Sequence, residues 1–351
     1  NIILCSKQFL QSKLEETTNI KWLKKMKFDM RFIDESHNGG TTTLAQETLN
    51  YYGNKTFTIQ ITATYSKPIN DYDISKDCWV LWDLEDIKLC KNIDNKNNIK
   101  RLVEKHGNEF QKIINEYSEA NIISEYSKYP ELHLLTDKID SKIIKDIIKN
   151  TKDNHYGWSS EACFLLKQNN EKKMNEFQNE KENLKLWYKI FGKKGNYGIP
   201  YNSYPDDIVF MKRIEKICHD PETNSRYIGE CVFLNEPMVI LAFLPQNNIF
   251  ETSFATKQLL EKYNIIPEYD IIAINSKITM NPKKKIDDAR IIAKNSGKKG
   301  ILVLSGRQCS LGVSIDYCDI VLLLNNNMGY DMIYQMMFRC MTEGKNKTED
   351  K

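Results

Sequence analysis

Met30-Arg31-Phe32-Ile33-Asp34-Glu35-Ser36-His37 is the stretch on which the fold class turns. An apolar run built on Met30, Phe32 and Ile33 ends in two adjacent acids, and a histidine follows two residues after the second. The run predicts a strand, and acids immediately after it stand at its carboxyl end, where open α/β sheets bind their ligands. A first carboxylate there can hold Mg²⁺ through water, and a second can orient or deprotonate an attacking water.

Outward from this strand, apolar runs alternate with stretches of helical spacing. Residues 1–5 predict a strand, 8–15 a helix, 28–33 a strand, 41–52 a helix and 56–63 a further strand. Residues 101–117 and 139–148 have helical spacing, and 131–135 predict a short strand. Residues 169–185 are almost wholly polar and read as a solvated helix or mobile insertion. Alternation returns with a near-continuous apolar run at 238–243, as expected of a strand buried on both faces. A helix over 253–263, strands over 269–274, 301–304 and 320–324, and helices over 287–294 and 328–341 complete the pattern. Strands alternating with helices argue for an α/β fold with parallel sheets and crossover connections. The expected division is an α/β segment at 1–85, a largely helical insertion at 86–230 and a second α/β lobe at 231–351.

The 351 residues have room for two domains and an insertion. Hydrophobic residues make up 41% and charged residues 28%, which supports a packed core and excludes the disordered class. A formal net charge of +3 neither demands nor excludes a polyanionic partner, because a basic groove can sit on a balanced surface. The nine cysteines are odd in number and form no C-x-x-C pair, so neither a zinc ribbon nor a disulfide framework is expected, and a reducing intracellular setting is. Cys218, His219 and Cys231 fall short of the four ligands of a structural zinc site. No apolar run approaches the roughly 20 residues of a membrane span, and no signal-peptide pattern is present. The chain opens at Asn1 inside an apolar segment and ends in a polar run, which sets the expectation of a piece of a longer protein.

Further segments each carry a functional and a bland reading. Ile61-Thr62-Ala63-Thr64 ends the strand after His37; its hydroxyls can bond the histidine or the acids, or simply cap the strand. Leu304-Ser305-Gly306 and Ser310-Leu311-Gly312-Val313-Ser314 can bring backbone amides to a phosphate, or form an ordinary turn. Gln335 and Arg339 stand four apart in a helical stretch and share a face; an arginine there can neutralise charge on a γ-phosphate, or lie on the surface. Ser6-Lys7-Gln8 can contact a nucleic-acid phosphate, or be a solvated loop.

Taken together and in this order, the set resembles the superfamily 2 helicases and translocases of DExH type. Asp34-Glu35-Ser36-His37 matches motif II, Thr62-Ala63-Thr64 motif III, residues 238–245 motif IV, residues 310–315 motif V, and the segment from Gln335 to Arg339 motif VI. The wording from Tyr334 to Glu343 is similar to helicases of large DNA viruses, akin to the helicase part of type III restriction enzymes. The resemblance implies two RecA-like lobes, the first truncated at its N-terminus, with ATP between them and a nucleic-acid strand across both. It implies Mg²⁺ held by Asp34 through water, Glu35 as the base, and His37, Thr62 and Thr64 coupling hydrolysis to lobe movement. Gln335 and Arg339 would face the phosphates, and Ser6, Gly312 and Ser314 would touch the strand, DNA rather than RNA. It also implies an intracellular viral protein, acting in host cytoplasm or nucleus or packaged in the virion, with no membrane partner.

The sequence departs from the family pattern. No Gly-Lys-Thr or Gly-Lys-Ser phosphate loop occurs in the chain. The family places it ahead of motif II, which sets the expectation that it precedes Asn1 and that this polypeptide alone is inactive. Thr342 stands where motif VI carries a second arginine, and Val313-Ser314 where motif V often has an acid. The alternatives are a non-catalytic helicase-like module that binds nucleic acid or protein, and an unrelated P-loop enzyme, against which the second α/β lobe argues. Trp158 and Trp187 of the insertion can supply a stacking wedge for a strand, or fill a core of their own.

Overall fold

The computed structural model describes residues 2–6, 9–10, 21–34, 43–51, 56–62, 74–136, 145, 160–167, 176–192, 209–219, 236–246, 248–275, 277, 279–309, 313, 315–325 and 329–342. They fall into two compact units, Asn1–Trp82 and Asp83–Lys351, both of mixed α/β or helical structure with parallel sheets.

The first unit contains α1 (Lys21–Lys25), β1 (Met30–Ile33), α2 (Thr43–Tyr51), β2 (Phe57–Gln60) and a 3₁₀ turn (Lys76–Cys78). β1 and β2 pair in parallel, Met30 opposite Phe57 and Ile33 opposite Gln60. Arg31 ties the β1–α2–β2 unit together. Its Nε donates to Thr58 Oγ1 at 2.8 Å and its Nη1 to the Leu49 carbonyl at 2.6 Å, which supplies a donor to a carbonyl in the last turn of α2. One sheet face carries Met30, Phe32 and Phe57 to the outside, while Ile33 is buried on the other. The strand expected at 1–5 does not form in residues 2–5. Among the described residues no strand pairs with their backbone, and Ile2 and Leu4 stand exposed.

The second unit opens with four helices, α3 (Leu84–Lys91), α4 (Lys96–His106), α5 (Asn108–Tyr117) and α6 (Glu119–Tyr126), around Leu89, Cys90, Ile93, Leu102, Phe110, Ile114 and Ile122. The helical stretch read over 101–117 is two helices, broken at Gly107, whose φ of 82° is open to glycine and strained for other residues. Residues 131–135 are not a strand; among the described residues none pairs with them in a ladder.

Charge fixes the entry of α3 to the exit of α4. Asp83 caps α3, accepting from the Glu85 and Asp86 backbone N–H groups, and Asp86 accepts from the Asp83 N–H in return. Lys105 Nζ lies 2.8 Å from both carboxylates, and His106 Nε2 lies 2.9 Å from the fully buried Asp86. Burial alone would raise the pKa of Asp83, but Lys105 and the two backbone donors outweigh it and hold the group below its ordinary 3.8. Burial lowers that of Lys105, and the hydrogen bonds it donates to Asp83 and Asp86 more than reverse it, so the ammonium sits above 10.5. A carboxyl depressed by folding stabilises above its unfolded value and loses that contribution as pH falls through the folded one. A raised ammonium contributes below its unfolded value and loses that as pH rises through the folded one. Lys105→Met is therefore expected to lower the unfolding midpoint at neutral pH and to flatten its fall in acid. Parallel acid limbs in mutant and wild type would contradict this.

The remainder of the second unit is built on a four-stranded parallel sheet in the order β4-β5-β3-β6: β3 (Met238–Phe243), β4 (Tyr269–Ile274), β5 (Gly300–Ser305) and β6 (Ile320–Leu323). Helices α7 (Ser160–Cys163), α8 (Glu180–Phe191) and α9 (Phe210–His219) precede it. Helices α10 (Ile249–Lys262), α11 (Pro282–Asn295) and α12 (Tyr330–Met337) are woven through it. The residues of β3 alternate between two cores. Met238, Ile240 and Ala242 pack with Ala255, Leu259 and Leu260 of α10 and with Leu184, Trp187 and Tyr188 of α8. Val239, Leu241 and Phe243 pack with Ile286, Ala289 and Ala293 of α11 and Met336 of α12. The sheet is thus covered on both faces, which is why β3 reads as one apolar run.

Part of the polar stretch expected to be a solvated helix belongs to this core. Phe177, Asn179, Glu182, Asn183 and Leu184 are buried. The side-chain amides of Asn179 and Asn183 donate to the Ala162 and Cys163 carbonyls at 2.8 and 2.9 Å. Burial pushes the Cys163 thiol up to about 12, which leaves it a packing residue. Among the described residues, no helix is long and apolar enough to cross a membrane.

Candidate functional site

In the first unit the strand pairing brings two of the candidate residues to one edge. Asp34 follows the last residue of β1 and is exposed. The Ile61 backbone N–H donates to the Ile33 carbonyl at 2.9 Å, carrying the ladder one residue past β2, so Asp34 and Thr62 stand at the carboxyl ends of adjacent parallel strands. Glu35, His37 and Thr64 lie outside the described residues. An exposed carboxylate beside a hydroxyl suits Mg²⁺, which keeps several waters and takes only one or two protein carboxylates along with substrate phosphates. Among the described residues no cluster of three or more His, Cys, Asp or Glu forms a closed metal cage. Ser6 is exposed; its Oγ accepts from the Phe9 N–H at 3.1 Å and its carbonyl from the Leu10 N–H at 3.1 Å, so it opens a helical turn.

In the second unit Gln335 is buried on α12, and Arg339 lies past its end. The helix expected to run to residue 341 tightens at Phe338 into a 3₁₀ turn (Phe338–Met341), with the Tyr334 and Phe338 rings 4.2 Å apart across the change. Gln335 therefore stands on the α-helix and Arg339 on the 3₁₀ turn that continues it, where three residues rather than 3.6 complete a turn. Arg339 Nη1 donates to the Val313 carbonyl at 3.0 Å, which joins this turn to the loop leaving β5. Burial raises the Cys309 thiol above its ordinary value, and the Ser305 hydrogen bond and the Arg339 charge offset only part of that rise. Gly312 and Ser314 lie outside the described residues. Gly306 has a packing role: a Cβ there would meet Ile249 Cγ1 at 2.8 Å, so glycine lets the β5 loop approach the start of α10. Trp187 has no exposed surface and stacks on Phe191 at 5.9 Å, so it cannot serve as the stacking wedge; Trp158 lies outside the described residues.

A group of polar side chains absent from the sequence reading stands at the carboxyl edge of the second sheet. Ile274 pairs with Ser305, so Asn275 leaves β4 beside the exit of β5. The Thr279 N–H donates to the Asn275 carbonyl at 2.9 Å, and Gln308 Nε2 donates to the Thr279 carbonyl at 2.7 Å. Asn275 and Thr279 are 2% and 5% exposed, yet Asn275 Nδ2 and Oδ1, Thr279 Oγ1 and Gln308 Oε1 have no hydrogen-bond partner among the described residues. Gln246 Nε2, past the end of β3, is in the same condition. Each such buried atom costs about 1–3 kcal/mol if nothing pairs with it. The signal was legible: a carboxamide follows each strand of the second sheet within three residues, Gln246, Asn275, Gln308 and Asn325.

This edge is also where the chain changes sides. β3 leads into α10 on one face and β5 into the segment of Cys309, Ile315 and Cys318 on the other, although the two strands are neighbours. Adjacent strands whose connections leave to opposite faces open a crevice at their carboxyl ends.

Compared with known protein families and with curated proteins, the chain matches neither a family nor a curated sequence.

Proposed function

We propose that the chain is part of an ATP-dependent nucleic-acid helicase or translocase with two RecA-like lobes, in which ATP hydrolysis drives movement on a strand, DNA by the resemblance. The observation that carries the reading is the position of the matched segments at strand exits of two parallel sheets. Asp34 and Thr62 share the carboxyl edge of the first, and Arg339 is bonded to the loop that leaves β5 of the second. In this reading Asp34 holds Mg²⁺ through water, and the metal supplies charge neutralisation at the β- and γ-phosphates. Glu35 takes a proton from the attacking water, and His37, Thr62 and Thr64 pass the state of the site to the lobes. Gln335 and Arg339 answer the phosphates, while Ser6, Gly312 and Ser314 hold the strand's backbone.

Arg339→Ala is expected to slow hydrolysis by about 10³-fold or more without abolishing strand binding. Unaffected hydrolysis would make Arg339 a structural tie to Val313 alone.

The absence of a Gly-Lys-Thr or Gly-Lys-Ser loop from the 351 residues favours a second reading, a non-catalytic helicase-like module that binds nucleic acid or protein. The in-frame sequence ahead of Asn1 separates the two. A strand followed by that loop supports the motor. An in-frame start codon with no such loop leaves the β- and γ-phosphates without their cradle and supports the module.

A further inference from the structure

We propose that Asn275, Thr279 and Gln308 form a site for the sugar–base side of a nucleic-acid strand, rather than for its phosphates. The inference rests on the nucleic-acid reading above and deepens it. The three residues are tied together, because the β4–β5 register sets the two exit loops side by side, the Thr279 N–H donates to the Asn275 carbonyl and Gln308 Nε2 donates to the Thr279 carbonyl. The cluster occupies the carboxyl edge of β4 and β5, beside the crevice between β5 and β3 where sheets of this kind take their ligands.

The unpaired atoms specify the ligand's chemistry. Asn275 Nδ2 can only donate, Asn275 Oδ1 and Gln308 Oε1 can only accept, and Thr279 Oγ1 can do either. A phosphodiester only accepts, and would leave the two carbonyl oxygens unpaired. The set also contains no cation, unlike a site built for phosphate. A group that both donates and accepts satisfies it: a ribose 2′-hydroxyl, or the amino and acceptor edge of a base, which asparagine and glutamine read in pairs. Both are faces of the same ligand, the nucleoside part of a strand.

The test measures single-strand binding by the full-length protein across a range of salt concentrations, using RNA and DNA oligonucleotides of one sequence and an abasic DNA. Asn275→Ala and Thr279→Val are compared with the wild type. Each variant is expected to weaken binding about tenfold and to leave the slope of log affinity against log salt unchanged, since no phosphate contact is lost. A loss confined to RNA assigns the 2′-hydroxyl; a loss on RNA and DNA but not on abasic DNA assigns the base edge. Neither variant is expected to lower the thermal midpoint, because each removes a buried group that nothing in the protein pairs.

Unchanged affinity in both variants would mean that the cluster holds only water and would overturn the proposal. So would a loss accompanied by a slope shallower by about 0.7, the mark of a lost phosphate contact on a single strand. A fall in the thermal midpoint that accounts for the lost binding would make the cluster structural and overturn it too. A wild type that binds no strand overturns the nucleic-acid reading itself, and this inference with it, an outcome distinct from binding that is indifferent to the two substitutions.

Discussion

Glu35→Gln in the full-length protein is expected to reduce ATP turnover by about 10²–10⁴-fold while leaving ATP binding intact. Glutamine preserves the size and the acceptor oxygen of glutamate but cannot take a proton from the attacking water. The neighbouring Asp34, the residue proposed to hold Mg²⁺, keeps its place at the end of β1, so nucleotide affinity should not follow the loss of turnover. Turnover by single-turnover assay and affinity by titration with a non-hydrolysable nucleotide separate the two effects. Turnover equal to the wild type would remove Glu35 from the role of base. Loss of binding along with turnover would make it a ligand of the metal instead.

Trp187→Ala is expected to cost about 3–5 kcal/mol of stability, a large part of the 5–15 kcal/mol typical of a domain. The indole is fully buried, lies against Phe191, and shares a core with Met238 and Ile240 of β3 and Leu259 of α10. Its removal opens a cavity between helix and sheet that a rigid parallel sheet cannot collapse to fill. Trp187→Phe should cost much less, because it keeps a ring and removes an indole N–H that is buried without a partner. Denaturant unfolding measures both. A loss below about 1 kcal/mol for the alanine variant is what a residue at the periphery would give, and it would detach α8 from the core of the second sheet.

Elements buried on both faces or ended by strong local signals were legible in the sequence. β3 is the clearest case: six apolar residues in a row suit a strand covered by α10 on one side and α11 on the other. The start of α11 was placed five residues late. Asn281 accepts from the Lys284 N–H and Pro282 occupies the first turn, a recognisable helix start, but the Lys283-Lys284-Lys285 run carries no apolar periodicity. Residues 131–135 have strand composition and no strand, since a strand needs a neighbour that local sequence does not reveal. α8 failed for the opposite reason. Its polar composition predicts exposure, yet the Asn179 and Asn183 side-chain amides are buried and donate to carbonyls seventeen and twenty residues away. Glu180 is paired with Lys262 and Tyr263 of another element.

The candidate site divides in the same way. Asp34 at the end of β1 was readable from an apolar run ending in acids. The bond from Arg339 to Val313 was not, because it joins segments 26 residues apart through a 3₁₀ turn that helical periodicity conceals. The carboxamides that follow the strands, Asn275 and Gln308 among them, are visible in the sequence, but their association with Thr279 is not. Only the register of β4 against β5 brings them together and exposes their lack of partners.

The central claim is that this chain belongs to a motor driven by ATP on a nucleic-acid strand. ATP hydrolysis by the full-length protein, measured with and without a single-stranded oligonucleotide, tests it most directly. The account predicts hydrolysis that rises on addition of the strand and disappears in Glu35→Gln. A full-length protein that binds the strand and hydrolyses no ATP, with or without it, would contradict the motor and leave a binding module in its place.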